Sequence, residues 1–66
     1  MYFAVITDKI RKKYIVVKTY FIDAIESIFI RQDKGHYSMH VFSDRYNDSL
    51  ERMEYVKFLR QRGYKF

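Results

Sequence analysis

Residues 14–32 read YIVVKTYFIDAIESIFIRQ, and the hydrophobic period changes in the middle of that run. From Tyr14 to Tyr20 the residues are mostly β-branched or aromatic. Ile15, Val17 and Thr19 fall on one face of a strand, and Tyr14, Val16, Lys18 and Tyr20 on the other. From Phe21 onward the spacing is helical. Phe21, Ile22, Ile25, Ile28 and Phe29 share one arc of a wheel, opposite Asp23, Glu26, Ser27 and Arg31. A strand over Tyr14–Tyr20 is therefore expected to lead into an amphipathic helix over Phe21–Gln32. Thr19 is placed to cap it, with Asp23 and Glu26 toward the positive end of its dipole. Ile30 points away from the apolar arc, so the helix is expected to fray there. The alternative is that Ile30 anchors a partner.

Working outward, Tyr2–Thr7 reads YFAVIT. It is a strand whose weak alternation predicts cover on both faces. Asp8–Lys13 joins it to the next strand as an antiparallel hairpin with a basic tip, without the Asn-Gly signal of a tight turn. Beyond the helix, Asp33-Lys34-Gly35 reads as a stop and a turn. His36–Phe42, HYSMHVF, alternates Tyr37, Met39 and Val41 with His36, Ser38 and His40, which predicts a strand with one apolar and one polar face. After a polar connection over Ser43–Asn47, Asp48-Ser49-Leu50-Glu51 resembles a capping box. The second helix runs from there to about Arg62, with Gly63 just past its end. Its apolar residues occupy more than one side: Leu50, Met53, Val56 and Leu59 drift, and Tyr55 and Phe58 lie elsewhere. Such a helix is expected to touch two things, the sheet and either a partner or the final Tyr64-Lys65-Phe66, which can add a short edge strand. The expectation is a single α+β domain over residues 1–66, in the order β-β-α-β-α. An antiparallel sheet carries one or both helices on a face. One hairpin followed by an all-helical remainder is the alternative.

Composition limits the chemistry. The 66 residues include no cysteine, no proline and two glycines. That leaves no disulfide or thiolate site, no glycine-rich phosphate loop and little tendency to disorder. Seven tyrosines and six phenylalanines supply the core, since each buried aromatic removes ~150–250 Å² from water. A domain this small buries only ~60% of its unfolded surface, so a homodimer or a host complex would add to its stability. No apolar run approaches the ~20 residues needed to span a bilayer. The opening residues MYFAVITDKIRKKY make a poor signal peptide. A soluble chain in the cytoplasm of its cell is expected.

The net charge of +5 is uneven. Lys9, Arg11, Lys12, Lys13 and Lys18 cluster near the start, and Lys57, Arg60, Arg62 and Lys65 near the end. Between Thr19 and Glu54 seven acids outweigh four bases. If the two basic ends meet they make a basic face suited to phosphate backbones or to an acidic protein surface. The plainer alternative is a solvated turn and cations that complement a helix C-terminus.

The two histidines stand four residues apart. On a helix they could share a metal ion. On a strand rising ~3.3 Å per residue they are about 13 Å apart, so no metal or cofactor is expected. Ser38 between them is the nearest thing to a nucleophile beside a base, but it lacks a nucleophile elbow and an oxyanion nest. Asp44, Asp48 and Glu51 read as turn and cap residues. The one catalytic option left is a small metal-independent ribonuclease using His36, His40, Arg45 and Lys18.

Binding is the stronger expectation. Tyrosine and arginine dominate interface hot spots, and the chain has seven and six of them, more than so small a core can absorb. In size and composition the whole chain resembles the small early proteins of bacteriophages. That group includes inhibitors of CRISPR effectors, restriction enzymes, host polymerase and toxins. The resemblance rests on no motif and transfers no residue role. It implies a non-enzymatic protein that occludes a surface of a host protein or ribonucleoprotein complex in the host cytoplasm. The basic charge sets it apart from acidic DNA mimics. The residues expected to meet a partner or phosphates are Arg11, Lys12, Lys13, Lys18, Tyr55, Lys57, Arg60, Arg62 and Lys65. The second reading is nucleic-acid binding, with the basic ends on phosphates and sheet aromatics stacked on unpaired bases. No nucleic-acid-binding motif sharpens it.

Overall fold

The computed structural model describes residues 1–30 and 35–66, apart from the side chains of Ile28 and Ile30. Its elements follow the order β1 (Tyr2–Asp8), β2 (Lys13–Thr19), α1 (Ile22–Ile30), β3 (Tyr37–Ser43) and α2 (Tyr46–Gln61). This is the expected α+β order. The three strands form one antiparallel sheet in the order β2-β1-β3, so the first strand of the chain is the central one.

The β1–β2 turn holds without an Asn-Gly pair. The Asp8 carboxylate accepts from the backbone N–H groups of Ile10 and Arg11, at 3.1 and 3.0 Å. Lys12 closes the turn in the left-handed region, at φ 57°. Asp8 thus replaces glycine chemistry with a side-chain-to-backbone turn.

Register fixes the faces. Val5 pairs with Val16 and His40, Thr7 with Tyr14 and Ser38, and Phe3 with Lys18 and Phe42. Directly paired residues share a face, so these nine lie on one side of the sheet, and α2 packs there. Val5, Tyr14 and Leu59 form the buried core, with Val16, Phe42, Tyr55, Val56 and Tyr64 packed against them. The apolar–polar division expected for β3 does not set its burial: Tyr37, Ser38, Met39 and Phe42 are half-buried, while His40 and Val41 are exposed. Ser38, His40 and Phe42 lie on the face toward α2, and Val41 is on the other face. Ser38 is drawn in by the partner strand. Thr7 is buried on that face, and its hydroxyl hydrogen-bonds the Ser38 hydroxyl and, at 3.3 Å, the Ser38 carbonyl.

Backbone hydrogen bonds alternate along β1. The Tyr14 N–H turns away from β1, to the carbonyl of Lys65 at 3.0 Å. Lys9 donates to the His36 carbonyl at 2.8 Å, and the Ser43 N–H turns outward to Asp48. By the two-residue alternation of an antiparallel ladder, Ala4 and Ile6 bond toward β2, whereas Phe3, Val5 and Thr7 bond toward β3.

Both helices begin differently from expectation. Thr19 does not cap α1. Its hydroxyl accepts from the Phe21 N–H at 2.9 Å and shapes the turn before the helix. Phe21 stands one residue outside, 77% exposed, so it is not part of the buried arc. Ile22, Ile25 and Phe29 are half-buried and Asp23, Glu26 and Ser27 exposed, as an amphipathic helix requires. The expectation about Ile30 as frayed end or anchor, and the helix stop at Asp33-Lys34, fall outside the described residues. Helix α2 starts at Tyr46, two residues before Asp48. The Asp48 carboxylate accepts instead from the Ser43 N–H and hydroxyl, at 2.8 and 2.7 Å. It therefore faces backward onto the end of β3, and no capping box forms.

The other end of α2 follows the expected chemistry. Gly63 sits at φ 89°. Tyr64 donates to the Leu59 carbonyl at 3.0 Å, and Gly63 to that of Arg60 at 3.1 Å. This is the paired hydrogen-bond pattern of a Schellman stop. The reversal swings the chain beside β2, where Lys65 makes one parallel bridge with Lys13. The expected terminal strand is thus a single bridge.

Candidate functional site

The two basic ends meet. Tyr14 and Lys65 share a backbone hydrogen bond, and Lys65 donates to the Lys12 carbonyl at 2.9 Å. The Lys12 ammonium lies 5.0 Å from the centre of the Tyr64 ring, and Arg60 donates its Nε–H to the Tyr14 hydroxyl at 3.0 Å. The hairpin, the last turn of α2 and the closing residues are therefore one surface.

That surface continues along β2. A groove of about 270 Å³ between the strand and α2 is lined by the apolar Val16, Met53 and Val56 and by the cationic Arg52, Lys57 and Arg60. Lys18 stands on the same face of β2, one alternation beyond Val16. At 3.6 residues per turn, Arg52, Val56 and Arg60 rise on one side of the helix with Lys57 beside them. Glu51 and Glu54 fall on other sides and are exposed. Arg52 packs its guanidinium 3.7 Å above the centre of the Phe3 ring, which holds the charge at the groove without a counter-charge. Among the described residues, none of Lys18, Arg52, Lys57 and Arg60 makes an ion pair with a carboxylate.

The backbone edge of β2 borders this groove. Val16 and Lys18 have the same parity as Tyr14, so their N–H and C=O groups point away from β1. Among the described residues, only the stretch at Lys13 and Tyr14 is matched on that edge, by Lys65.

Of the residues expected at the site, Lys18, Lys57 and Arg60 belong to this surface and Lys12 joins it at the end of the hairpin, whereas Lys13 falls on the other face of β2 together with its bridge partner Lys65. Arg11 is at the hairpin tip, 3.9 Å from the Asp8 carboxylate. Tyr55 and Arg62 lie on the β3 side of α2. Tyr55 is half-buried against His40 and Phe42, and Arg62 stacks 4.5 Å above Phe58. Arg52 was missed, although its four- and eight-residue spacing to Val56 and Arg60 places it on the same stripe.

The histidines have separate neighbours, and His36, expected on the polar face of the strand, is half-buried. Its Nε2 is 2.8 Å from the Asp8 carboxylate, and its ring stacks on Tyr37. Asp8 is held below the usual carboxylate range, chiefly by the Arg11 backbone N–H and further by His36. His40 is exposed, with its ring 4.5 Å from that of Tyr55. Burial pushes the Tyr55 phenol above the ordinary tyrosine value, while hydrogen bonds to Ser38 and Thr7 act in the opposite direction. Ser38 is tied to Thr7 beneath α2. Among the described residues no three His, Asp or Glu side chains come together in a way that could hold a metal ion. No described helix is long and apolar enough to cross a membrane.

The aromatic residues of the sheet bear on nucleic-acid stacking. Tyr14 is buried, Phe3 lies under Arg52, and Phe42 packs against Tyr55. The α2 face of the sheet therefore offers no open row of rings beside the cations. Comparison with protein-family models, with curated proteins and with solved structures finds no match.

Proposed function

We propose that the chain is a non-enzymatic binding module that lays the cationic groove between β2 and α2 against an acidic surface of a partner protein and acts by covering it. One observation carries the reading: Arg52, Lys57 and Arg60 line the groove beside the apolar Val16, Met53 and Val56, Lys18 follows on the same face of β2, and none of the four cations has a carboxylate partner among the described residues. Unneutralised cations around apolar side chains favour a partner that supplies carboxylates and apolar area together. Occlusion of a host protein or ribonucleoprotein complex, such as a defence or transcription assembly, is in keeping with the resemblance in size and composition to small phage proteins. The phosphates of a nucleic acid would suit the same cations. The covered sheet aromatics weigh against the stacking mode.

The test is recovery of partners from bacterial lysate by tagged protein, with and without nuclease, in parallel with Lys57→Glu/Arg60→Glu. Both positions are exposed, and circular dichroism checks that the variant folds. A defined partner that survives nuclease and is lost with the double variant supports the reading. Recovery abolished by nuclease overturns it and assigns the groove to nucleic acid.

A further inference from the structure

We infer that the open edge of β2 takes up an extended acidic segment of the partner as a fourth strand. This deepens the proposed function and rests on it. Three observations converge on β2. The backbone groups of Val16 and Lys18 point outward with no partner among the described residues. The edge already accepts a strand at its start, where Lys65 bridges Lys13 in parallel. The groove lined by Arg52, Lys57 and Arg60 runs along the same edge.

The two faces of the edge prescribe the segment. On the α2 side an added strand meets Lys18, Lys57 and Arg60, which favours glutamate or aspartate. On the opposite side it meets Ile15, 52% exposed, and Val17, which favours apolar residues. Alternation of acidic and apolar side chains satisfies both, as strand addition requires. A second copy of this chain does not fit. Pairing β2 with β2 would bring Arg52, Lys57 and Arg60 of the two copies together on one face of the joined sheet, and cations gathered there without carboxylates repel. Lysines also guard edges against aggregation. Under that role alone the edge excludes every strand, and the experiment separates the two.

The probe is a short fluorescein-labelled peptide of alternating glutamate and valine, read by polarisation against the full chain. A second peptide of the same sequence carries N-methyl groups on alternate backbone nitrogens, which keeps its charge and blocks pairing. On the protein side, Lys18→Pro is compared with Lys18→Ala. The Lys18 N–H faces away from β1, so proline there removes no bond of the existing ladder. The expected result is binding of the first peptide, weakened about tenfold by N-methylation and by proline relative to alanine. That is the loss of one or two backbone hydrogen bonds at about 1 kcal/mol each. Equal binding of both peptides overturns strand addition and leaves acidic docking standing. Binding of neither peptide overturns the inference and supports a purely guarding edge. Binding of oligo(dT) in preference to both removes the acidic-partner reading as well.

Discussion

Truncating Leu59 tests the arrangement on which the groove depends. Leu59 is 4% exposed and is the one fully buried residue of α2, facing Val5 and Tyr14. Leu59→Ala removes three carbon atoms, worth about 2.4 kcal/mol at about 0.8 kcal/mol per methylene. The unfilled cavity raises the total to about 3 kcal/mol, within a usual range of roughly 2–5 kcal/mol. A chain of 66 residues, at roughly 0.05–0.15 kcal/mol per residue, has only about 3–10 kcal/mol of stability. The variant should thus lose between a third and all of it. Leu50, on the same helix but 44% exposed, provides the control. Its truncation should cost about 1 kcal/mol or less. Urea unfolding followed by far-ultraviolet circular dichroism measures both. Equal losses at the two positions would refute the reasoning. They would mean that α2 does not turn its Leu59 side to the sheet, and Arg52, Lys57 and Arg60 would then not border β2.

Two further outcomes are expected. Gly63→Ala should cost about 1–2 kcal/mol from the left-handed backbone alone, because a Cβ there meets no atom within 4 Å. Gly63→Asn should cost less, and an alanine variant as stable as the parent would remove the Schellman stop as a constraint. The carboxyls of Asp8 and Asp48 both hold their protons less tightly than usual, Asp48 chiefly through the Ser43 hydroxyl. Their contribution is therefore complete above the unfolded value near about 3.9 and is lost as the pH falls through the lower folded values. The urea midpoint should hold from about pH 7 to about pH 5 and drop below about pH 4, less steeply in Asp48→Asn. A midpoint that rises on acidification would contradict this sign.

The order of elements was legible because each carries a local pattern. The change of period after Tyr20 separates β2 from α1, and Gly63 marks the end of α2. What was not legible depends on partners distant in the chain. The half-burial of Ser38 was not legible, because Ser38 looks like part of a solvent face until Thr7 is known to stand opposite it. The start of α2 was misplaced because Asp48 can serve either the helix that follows or the strand end that precedes it, and Ser43 takes it. The basic ends were visible as charge clusters. Their meeting rests on the bridge between Lys13 and Lys65, and no local rule encodes that pairing. Arg52 was overlooked because it lies in the acidic middle of the chain, where charge counting hides a stripe that helical spacing would have shown.

The central position of β1 has a consequence for how the sheet opens. Amides of Ala4 and Ile6 are tied to β2, and those of Phe3, Val5 and Thr7 to β3. The β1–β2 pairing closes through a short local turn, whereas Thr7 and Ser38 are 31 residues apart. Contacts distant in sequence close at greater entropic cost. Departure of β3 alone would therefore expose every second amide of β1 to deuterium while its neighbours stay protected. A single strand thus carries two interleaved clocks, one timing the local hairpin and the other the long-range closure of the domain.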